Sequence, residues 1–397
     1  MPASSSRAGS SRGATLDTDQ TRRRSTPGPA DASIVQVVQS LGKGGLEAMA
    51  ANLAIALHHR GLRSTIVSLG EGGVLEQPLA AAGVPYHLLG DGRWRNPRTH
   101  AQLTRLFRSS GAHVAHTHHF AALLTAALPA AIARVPRTVH TEHAFQYLEP
   151  SRTLRSTLGV LSRTTDRFVV VGDEMRDYYR TAVGVDDRRL MVIRNGVDTA
   201  RYRPHDDVAA ARRKLGLPDT ILVGSAGRLE PVKNYPLLLR ATARARQLAP
   251  TLHLVLMGDG GERDALAQLA TDLGLQDAVS FLGWRTDAND VMAALDLFAL
   301  TSISEGLPLG VLEAMACAVP VVTTAVGDLP RVVHPDVGVT IPSHDETALA
   351  DALVGLARDP ARRRHMGHRA RELVLATYSQ QAMVDAYLAA YDLAGPQ

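Results

Sequence analysis

The sequence predicts an α/β chain of two doubly wound domains, each a parallel sheet with helices on both faces. Three observations carry this. Apolar strand-like runs alternate with helical stretches twice along the chain. The 397 residues are more than one core comfortably serves. A stretch of turn residues with a proline, residues 195–207, interrupts the alternation near its middle. The expected layout is a tail over 1–32, a first Rossmann-like domain over 33–200 and a second over 201–378. Parallel sheets of this kind take ligands outside the carboxyl ends of their strands.

Each element has its own signal. Residues 1–32 hold Ser, Arg, Pro, Gly and Ala with few large apolar side chains, so they read as a disordered tail. The run TRRRS at 21–25 has no apolar stretch behind it, so no secretion signal is expected. The acidic DTD at 17–19 lies in the same tail and is set aside. SIVQVVQ (33–39) is a strand, followed by a glycine-rich turn and a helix that stops at Gly61. STIVSLG, VPYHLLG, HVAHTHH, RTVHTEH and RFVVVG are the further strands of the first half. TILVGSAG, LHLVLMG, VSFLG, LFALTS and VPVVTT are those of the second. SQQAMVDAYLAAYDLA, within 379–394, is an amphipathic helix.

Composition narrows the classes. Lys and Arg outnumber Asp and Glu by 8 in residues 1–200 and fall short by 4 in 201–397, for a net +4. A basic front half suits an anionic membrane or an acidic acceptor. It lacks a dense Lys/Arg run with interleaved aromatics, so no nucleic acid is expected. The single cysteine, Cys317, excludes an internal disulfide framework and a Cys-rich zinc module, and fits a reducing, cytoplasmic setting. No segment is long and apolar enough to span a bilayer.

Four constellations could carry chemistry. LGKGGLEAMAANLA (41–54) places Gly44 and Gly45 between a strand and a helix, where backbone can approach a diphosphate or simply make a tight turn. It fits neither the dinucleotide fingerprint nor a Walker loop. GRLEPVKN (227–234) sets Arg228 and Lys233 just past a strand, where two cations can neutralise a diphosphate or merely face water. SEGLPLGVLEAMA (304–316) puts Pro308 at a helix start, so that Leu309, Gly310 and Val311 present free N–H groups to an anion. Glu305 and Glu313 bracket that start. A ligand with a phosphate in its middle and hydroxyl-bearing groups on either side would reconcile an anion site with two carboxylates. Finally, His116, His118, His119, His140 and His143 cluster with Glu142. His-x-His is metal-ligand spacing, so a metal-dependent hydrolase using His116, His118 and His143 stands beside ordinary core histidines.

Together these motifs resemble the family 4 retaining glycosyltransferases of GT-B architecture, from about Ile34 to the C-terminus. The most specific is the glutamate pair with seven residues between, Glu305-GLPLGVL-Glu313, followed by EAMACAVPVV. GRLEPVK, RNGVD, GKGGLE and VAHTHHF match in order. The resemblance implies that Arg228 and Lys233 bind the diphosphate of a nucleotide-sugar donor, with the Leu309, Gly310 and Val311 amides, Gly258, Gly44 and Gly45. It implies that Glu313 holds the ribose, that Glu305 contacts the donor sugar, and that His118 lies beside that sugar. It implies transfer to a glycan or lipid-linked acceptor in polysaccharide or glycolipid assembly, with no cofactor and no metal required. The final helix would cross back onto the first domain. One segment departs from the family's frequent Gly-Gly-x-Pro-Glu: here it is Gly327-Asp328-Leu329-Pro330-Arg331. Residues 91–111, basic and carrying Trp94, Leu103, Leu106 and Phe107, would as a helix either pack their apolar side on the core or suit an anionic membrane surface, as at the inner face of a plasma membrane. A non-catalytic nucleotide-sugar binder and a sugar-nucleotide epimerase are the other readings.

Overall fold

The structure, a computed structural model, describes residues 32–394 apart from 43, 91–95 and 146. The tail over 1–31, with its DTD, and Trp94 lie outside the described residues. Ala32, assigned to the tail, is instead fully buried where the first strand begins.

Seven parallel strands form the first sheet: β1 Ser33–Val38, β2 Arg63–Ser68, β3 Tyr86–Leu88, β4 Val114–His118, β5 Arg137–Glu142, β6 Arg167–Val170 and β7 Leu190–Val192. Six parallel strands form the second: β8 Ile221–Ala226, β9 Leu252–Met257, β10 Val279–Gly283, β11 Leu297–Leu300, β12 Val321–Thr324 and β13 Gly338–Ile341. The spatial orders are β3-β2-β1-β4-β5-β6-β7 and β10-β9-β8-β11-β12-β13. Both follow the doubly wound plan, in which strand order reverses beside the first strand. The reversals fall between β1 and β4 and between β8 and β11.

Helices cover both faces because side chains alternate along each strand. On β1, Ile34 joins a core with Met49, Leu53 and Tyr387, while Val35 joins one with Leu103 and Phe107. In the second domain, Phe298 packs with Val311, Leu312 and Met315, and its neighbour Leu297 packs with Leu238, Leu254 and Leu353.

Two segments cross between the domains and touch. Val197 pairs with Ser379 in an isolated parallel bridge, donating to the Tyr378 carbonyl at 2.9 Å and accepting from the Gln380 amide at 2.8 Å. Gly196 is required there, since a Cβ would lie 2.6 Å from the Ser379 carbonyl oxygen. Past this crossing the helix Gln380–Ala390 packs Met383, Val384 and Tyr387 into the first domain's core.

The helix Pro97–Ser109 decides between its two readings. Its apolar stripe faces protein, not membrane: Leu103 and Phe107 are buried against the helix Phe120–Ala133. Helical periodicity is the same whether a stripe meets a core or a lipid surface. No helix among the described residues is long and apolar enough to cross a membrane.

Candidate functional site

All four sequence constellations lie at the two points where strand order reverses. β1 leads into the glycine turn and β4 ends at His118; β8 leads into Gly227 and Arg228, and β11 leads toward Glu305. The helix Leu309–Ala316 of the second domain abuts the first, because Leu309 packs on the core that holds Met49 and Leu53 of the helix Gly45–His59.

The second-domain reversal is built from two loops tied to each other. Thr301 donates its hydroxyl to the carbonyls of Lys233 and Asn234 at 2.9 and 3.1 Å, and the Ile303 amide donates to Val232 at 2.9 Å. This brings Lys233 Nζ to 2.5 Å from Glu305 Oε1, which also accepts from the Ser302 hydroxyl at 2.6 Å. The cation and the carboxylate assigned to different parts of a ligand therefore hold each other. Arg228 is exposed, and no ion pair engages its guanidinium among the described residues.

Beside them begins the helix Leu309–Ala316. Pro308 stands at its N-cap in an extended conformation, and no side chain caps it. The first amides, those of Leu309, Gly310 and Val311, have no acceptor within the helix, and the positive end of its dipole lies there. Glu313 sits one turn further in. Burial pushes its carboxyl above the ordinary range, while the Tyr202 hydroxyl and the Arg201 charge pull it back. Arg201 lies 5.6 Å from the Tyr202 ring centroid. Tyr202 and Arg201 escaped sequence reasoning, because they fall in the stretch read as a domain boundary.

Gly258 has a different reason from the one expected. Its φ is +134°, and a Cβ would lie 1.9 Å from the Gly227 carbonyl oxygen. The glycine serves the packing of the strand end on Gly227.

In the first domain, Gly44 precedes the helix Gly45–His59, and a Cβ on it would meet the Glu47 carboxylate. At Gly45 a Cβ would meet nothing within 4 Å.

His116, His118 and His140 are core residues, and His119 and His143 are partly buried. His116 is bonded by Tyr391 Oη at 2.7 Å on Nδ1 and by Thr141 Oγ1 at 2.8 Å on Nε2. His140 is bonded by Thr117 Oγ1 at 2.8 Å and Glu142 Oε1 at 3.1 Å. His118 Nε2 lies 2.9 Å from Gln36 Oε1 and its Nδ1 lies 3.3 Å from His143 Nε2, so both ring nitrogens face protein groups. The His118 ring is fully buried, so it offers no free nitrogen to a sugar, contrary to a role for the ring itself. Burial holds His116 and His118 well below the ordinary histidine range and His143 down to about 3. The metal-hydrolase reading on His116, His118 and His143 loses support here, since both ring nitrogens of His116 and His118 and Nε2 of His143 are engaged by protein groups. No group of three or more His, Cys, Asp or Glu among the described residues is placed to hold a metal.

His119, at the end of β4, is the histidine whose backbone stands out. Its φ of 72° with ψ of 151° is a combination that glycine tolerates and that costs other residues about 1–3 kcal/mol. Cys317 is buried, and burial pushes its thiol up to about 12, so it is not a nucleophile.

Comparison with known proteins agrees with this arrangement. The family model "Glycosyltransferase Family 4" matches residues 43–201, and "Glycosyl transferases group 1" matches 207–373. A D-inositol 3-phosphate glycosyltransferase of Stackebrandtia nassauensis is 40% identical over 228 residues, 54% of this chain and 50% of that protein. The lipopolysaccharide core biosynthesis glycosyltransferase LpsE of Rhizobium meliloti is 36% identical over 203 residues, 51% of this chain and 57% of that protein. The chain thus spans about half the length of the curated relatives it matches. Among solved structures, Anabaena HepE in complex with UDP and glucose superposes with a TM-score of 0.81 at 24% identity, covering 91% of this chain and 99% of that one. Sucrose-phosphate synthase of Thermosynechococcus elongatus gives 0.75 at 21% identity, covering 91% and 98%. With one glycosyltransferase model on each domain and the fold of these structures, the chain belongs to the family 4 glycosyltransferases and has the GT-B architecture.

Proposed function

We propose that this protein moves a sugar from a nucleoside-diphosphate sugar to a hydroxyl of a glycan or lipid-linked acceptor, with retention of anomeric configuration. The observation that carries the reading is the second-domain reversal point: an uncapped helix start flanked by Arg228, Lys233 and two carboxylates. The solved relatives that carry UDP and UDP-glucose are consistent with a uridine donor.

In this reading the diphosphate lies on the amides of Leu309, Gly310 and Val311 and draws Lys233 from Glu305. Arg228 and Lys233 take the charge that builds on the leaving group. Glu305, released, accepts hydroxyls of the donor sugar, and Glu313 accepts the ribose diol. The bond from the anomeric carbon to the diphosphate oxygen breaks as the acceptor oxygen bonds the same face. The acceptor's proton passes to the leaving phosphate oxygen. The protein supplies position and charge, with no covalent intermediate.

Acceptor choice belongs to the first domain. Relatives named for inositol 3-phosphate and for lipopolysaccharide core point to polyhydroxylated, phosphorylated or lipid-borne acceptors. Peripheral membrane contact, at an inner membrane face, now rests on the outer side of the helix Pro97–Ser109. There Arg98, Arg105 and Arg108 are exposed, and Ile132 of the neighbouring helix is 47% exposed. Co-flotation with anionic but not neutral liposomes tests it.

Thermal unfolding against UDP, GDP, ADP and CDP, with and without EDTA, tests the donor reading. A ligand at about 100 times its Kd adds roughly 2.7 kcal/mol, a rise of a few degrees. The expected result is stabilisation by one diphosphate, unchanged by EDTA and lost in Glu313→Gln. Because burial raises the Glu313 carboxyl, its ionised form costs folding stability above its pKa, so Glu313→Gln without nucleotide should melt higher than wild type at pH 7. No stabilisation by any diphosphate would reject the reading.

A further inference from the structure

The turn that departs from the family's frequent pattern has a structural use. The helix Asp173–Tyr178 of the first domain begins after Gly172 and has no capping side chain of its own. Its first amides are capped from the other domain. Asp328 Oδ2 accepts from the Asp173 amide at 2.7 Å, and Oδ1 accepts from the Glu174 amide at 3.1 Å. Bonds from N–H groups to a carboxylate are strong, and the helix dipole adds to them. Asp328 is 3% exposed, so this contact is shielded from water. Gly172 makes it possible, since a Cβ there would sit 2.4 Å from Asp328 Oδ2.

The second departure reinforces the first. Arg331 Nη1 lies 3.7 Å from Asp173 Oδ2 and 3.6 Å from Asp328 Oδ1, and Arg194 reaches Asp173 Oδ2 at 2.5 Å. An acid at 331 would face two carboxylates; the arginine is attracted to both.

The same turn braces the Glu305 loop. A Cβ on Gly327 would lie 2.3 Å from the Glu305 carbonyl oxygen, and the Asp328 amide donates to the Gly306 carbonyl at 3.3 Å. Gly306 in turn is held against the first domain, where its Cβ would lie 2.8 Å from the His143 carbonyl oxygen. The first-domain helix start, the Gly327–Asp328 turn and the Glu305 loop are thus stacked in contact.

We infer that Asp328 is a positioning residue. It docks the second domain onto the helix Asp173–Tyr178 and, through Gly306 and Gly327, sets the Glu305 loop before donor arrives. The naming of Glu305 as a donor contact rests on the proposed function; the docking does not. A protein with the family's glycine at 328 would have to obtain this closure from the ligand.

Two measurements test it. Small-angle scattering of the ligand-free full chain should show a larger radius of gyration in Asp328→Gly than in wild type, with UDP narrowing the difference. Apparent UDP affinity should weaken roughly tenfold, because only the docked fraction is competent to bind. In turnover the donor KM should rise by the same factor while kcat at saturation is retained, a split that a loss of stability alone would not produce. Arg331→Glu should move scattering and affinity the same way to a smaller extent, and it decides the matter if Asp328→Gly fails to fold. Unchanged scattering in the variants would overturn the inference. If wild type binds no nucleoside diphosphate, the proposed function fails and the scattering alone judges the docking.

Discussion

The two domains repeat one strand order and fill its reversal point in opposite ways. In the first, the space beside β1 and β4 is occupied by the protein's own polar groups: Gln36, His116 and His118, sealed by Tyr387 and Tyr391 of the C-terminal helix. In the second, the same place is left with an uncapped helix start, an exposed Arg228 and a Lys233–Glu305 pair that a stronger anion can open. Topology says where a ligand can bind. Which reversal point is ready for an anion is decided by whether the chain has already filled it with its own groups; in the first the His116 and His118 rings are engaged on both nitrogens, and Gln36 Nε2 is buried without a partner. The first-domain network also places the final helix: the bond from Tyr391 to His116 spans 275 residues and fixes the helix to the domain it crosses onto.

The sharpest way to break this comparison is acid. His116, His118 and His143 are held neutral in the fold, His143 down to about 3, mainly by burial and then by neighbouring histidines, His119 and His140 among them. Unfolded, each would titrate near 6.5. As pH falls below 6.5 the unfolded chain gains protons that the folded chain refuses. The stability they leave intact at pH 7 is therefore lost on the way from 6.5 toward 3. Each unshared proton costs about 1.4 kcal/mol per pH unit, so three histidines give a fall on the order of 4 kcal/mol per unit. Calorimetry between pH 7.5 and 5 should show a steep decline in Tm, with first-domain amides exchanging first. His143→Asn should lessen the slope by about a third. A pH-independent Tm would mean that the histidines are hydrated, and the contrast between the domains would fall.

The next effect is at the open reversal point. Lys233→Ala removes a cation from the leaving group and leaves Glu305, whose side chain is 12% exposed, with only Ser302. Loss of a charge-stabilising donor of this kind costs about 10²–10³ in kcat. The expected outcome is a fall of that size in kcat/KM together with a lower Tm, because removing one partner leaves a largely buried carboxylate without its countercharge. A large drop in Tm with near-normal turnover would show that the pair is structural, and would make the second reversal point as self-satisfied as the first.

Much of this was legible in the sequence, and the gaps have physical causes. Eleven strands announce themselves as strand-like runs between turns and helical stretches. β7 and β13, edge strands of three and four residues, do not. A strand that short at an edge needs no long apolar run. The alternation that puts His116 and His118 on one face of β4 is readable, but whether that face meets a cleft or a core depends on Tyr387 and Tyr391, far along the chain. The apolar stripe at Leu103 and Phe107 is readable as a stripe, but its partner, core or membrane, is settled only by the fold. Asp328 could be singled out only as a departure. Its partners, 155 and 154 residues away, carry no local signature of a helix in need of a cap.

The smallest effect is the cleanest probe of whether the first domain contributes anything to a donor. Gly45 opens the helix Gly45–His59, and among the described residues no atom beyond its chain neighbours and its own helix backbone lies within 4 Å of the place its Cβ would occupy. At Gly44 a Cβ would meet only the movable end of the Glu47 side chain, and no described residue demands a glycine at 45. Alanine there should stabilise the helix by up to about 1 kcal/mol, since it restricts the unfolded chain and favours helix. If a diphosphate closes against this turn, the added methyl takes up its space. UDP stabilisation should then shrink several-fold while the nucleotide-free Tm stays level or rises. Those two readings move in opposite directions only if the space at Gly45 belongs to a ligand. If UDP stabilisation is unaffected, donor binding is the work of the second domain alone, and the glycine turn is no more than the shortest path from β1 into its helix.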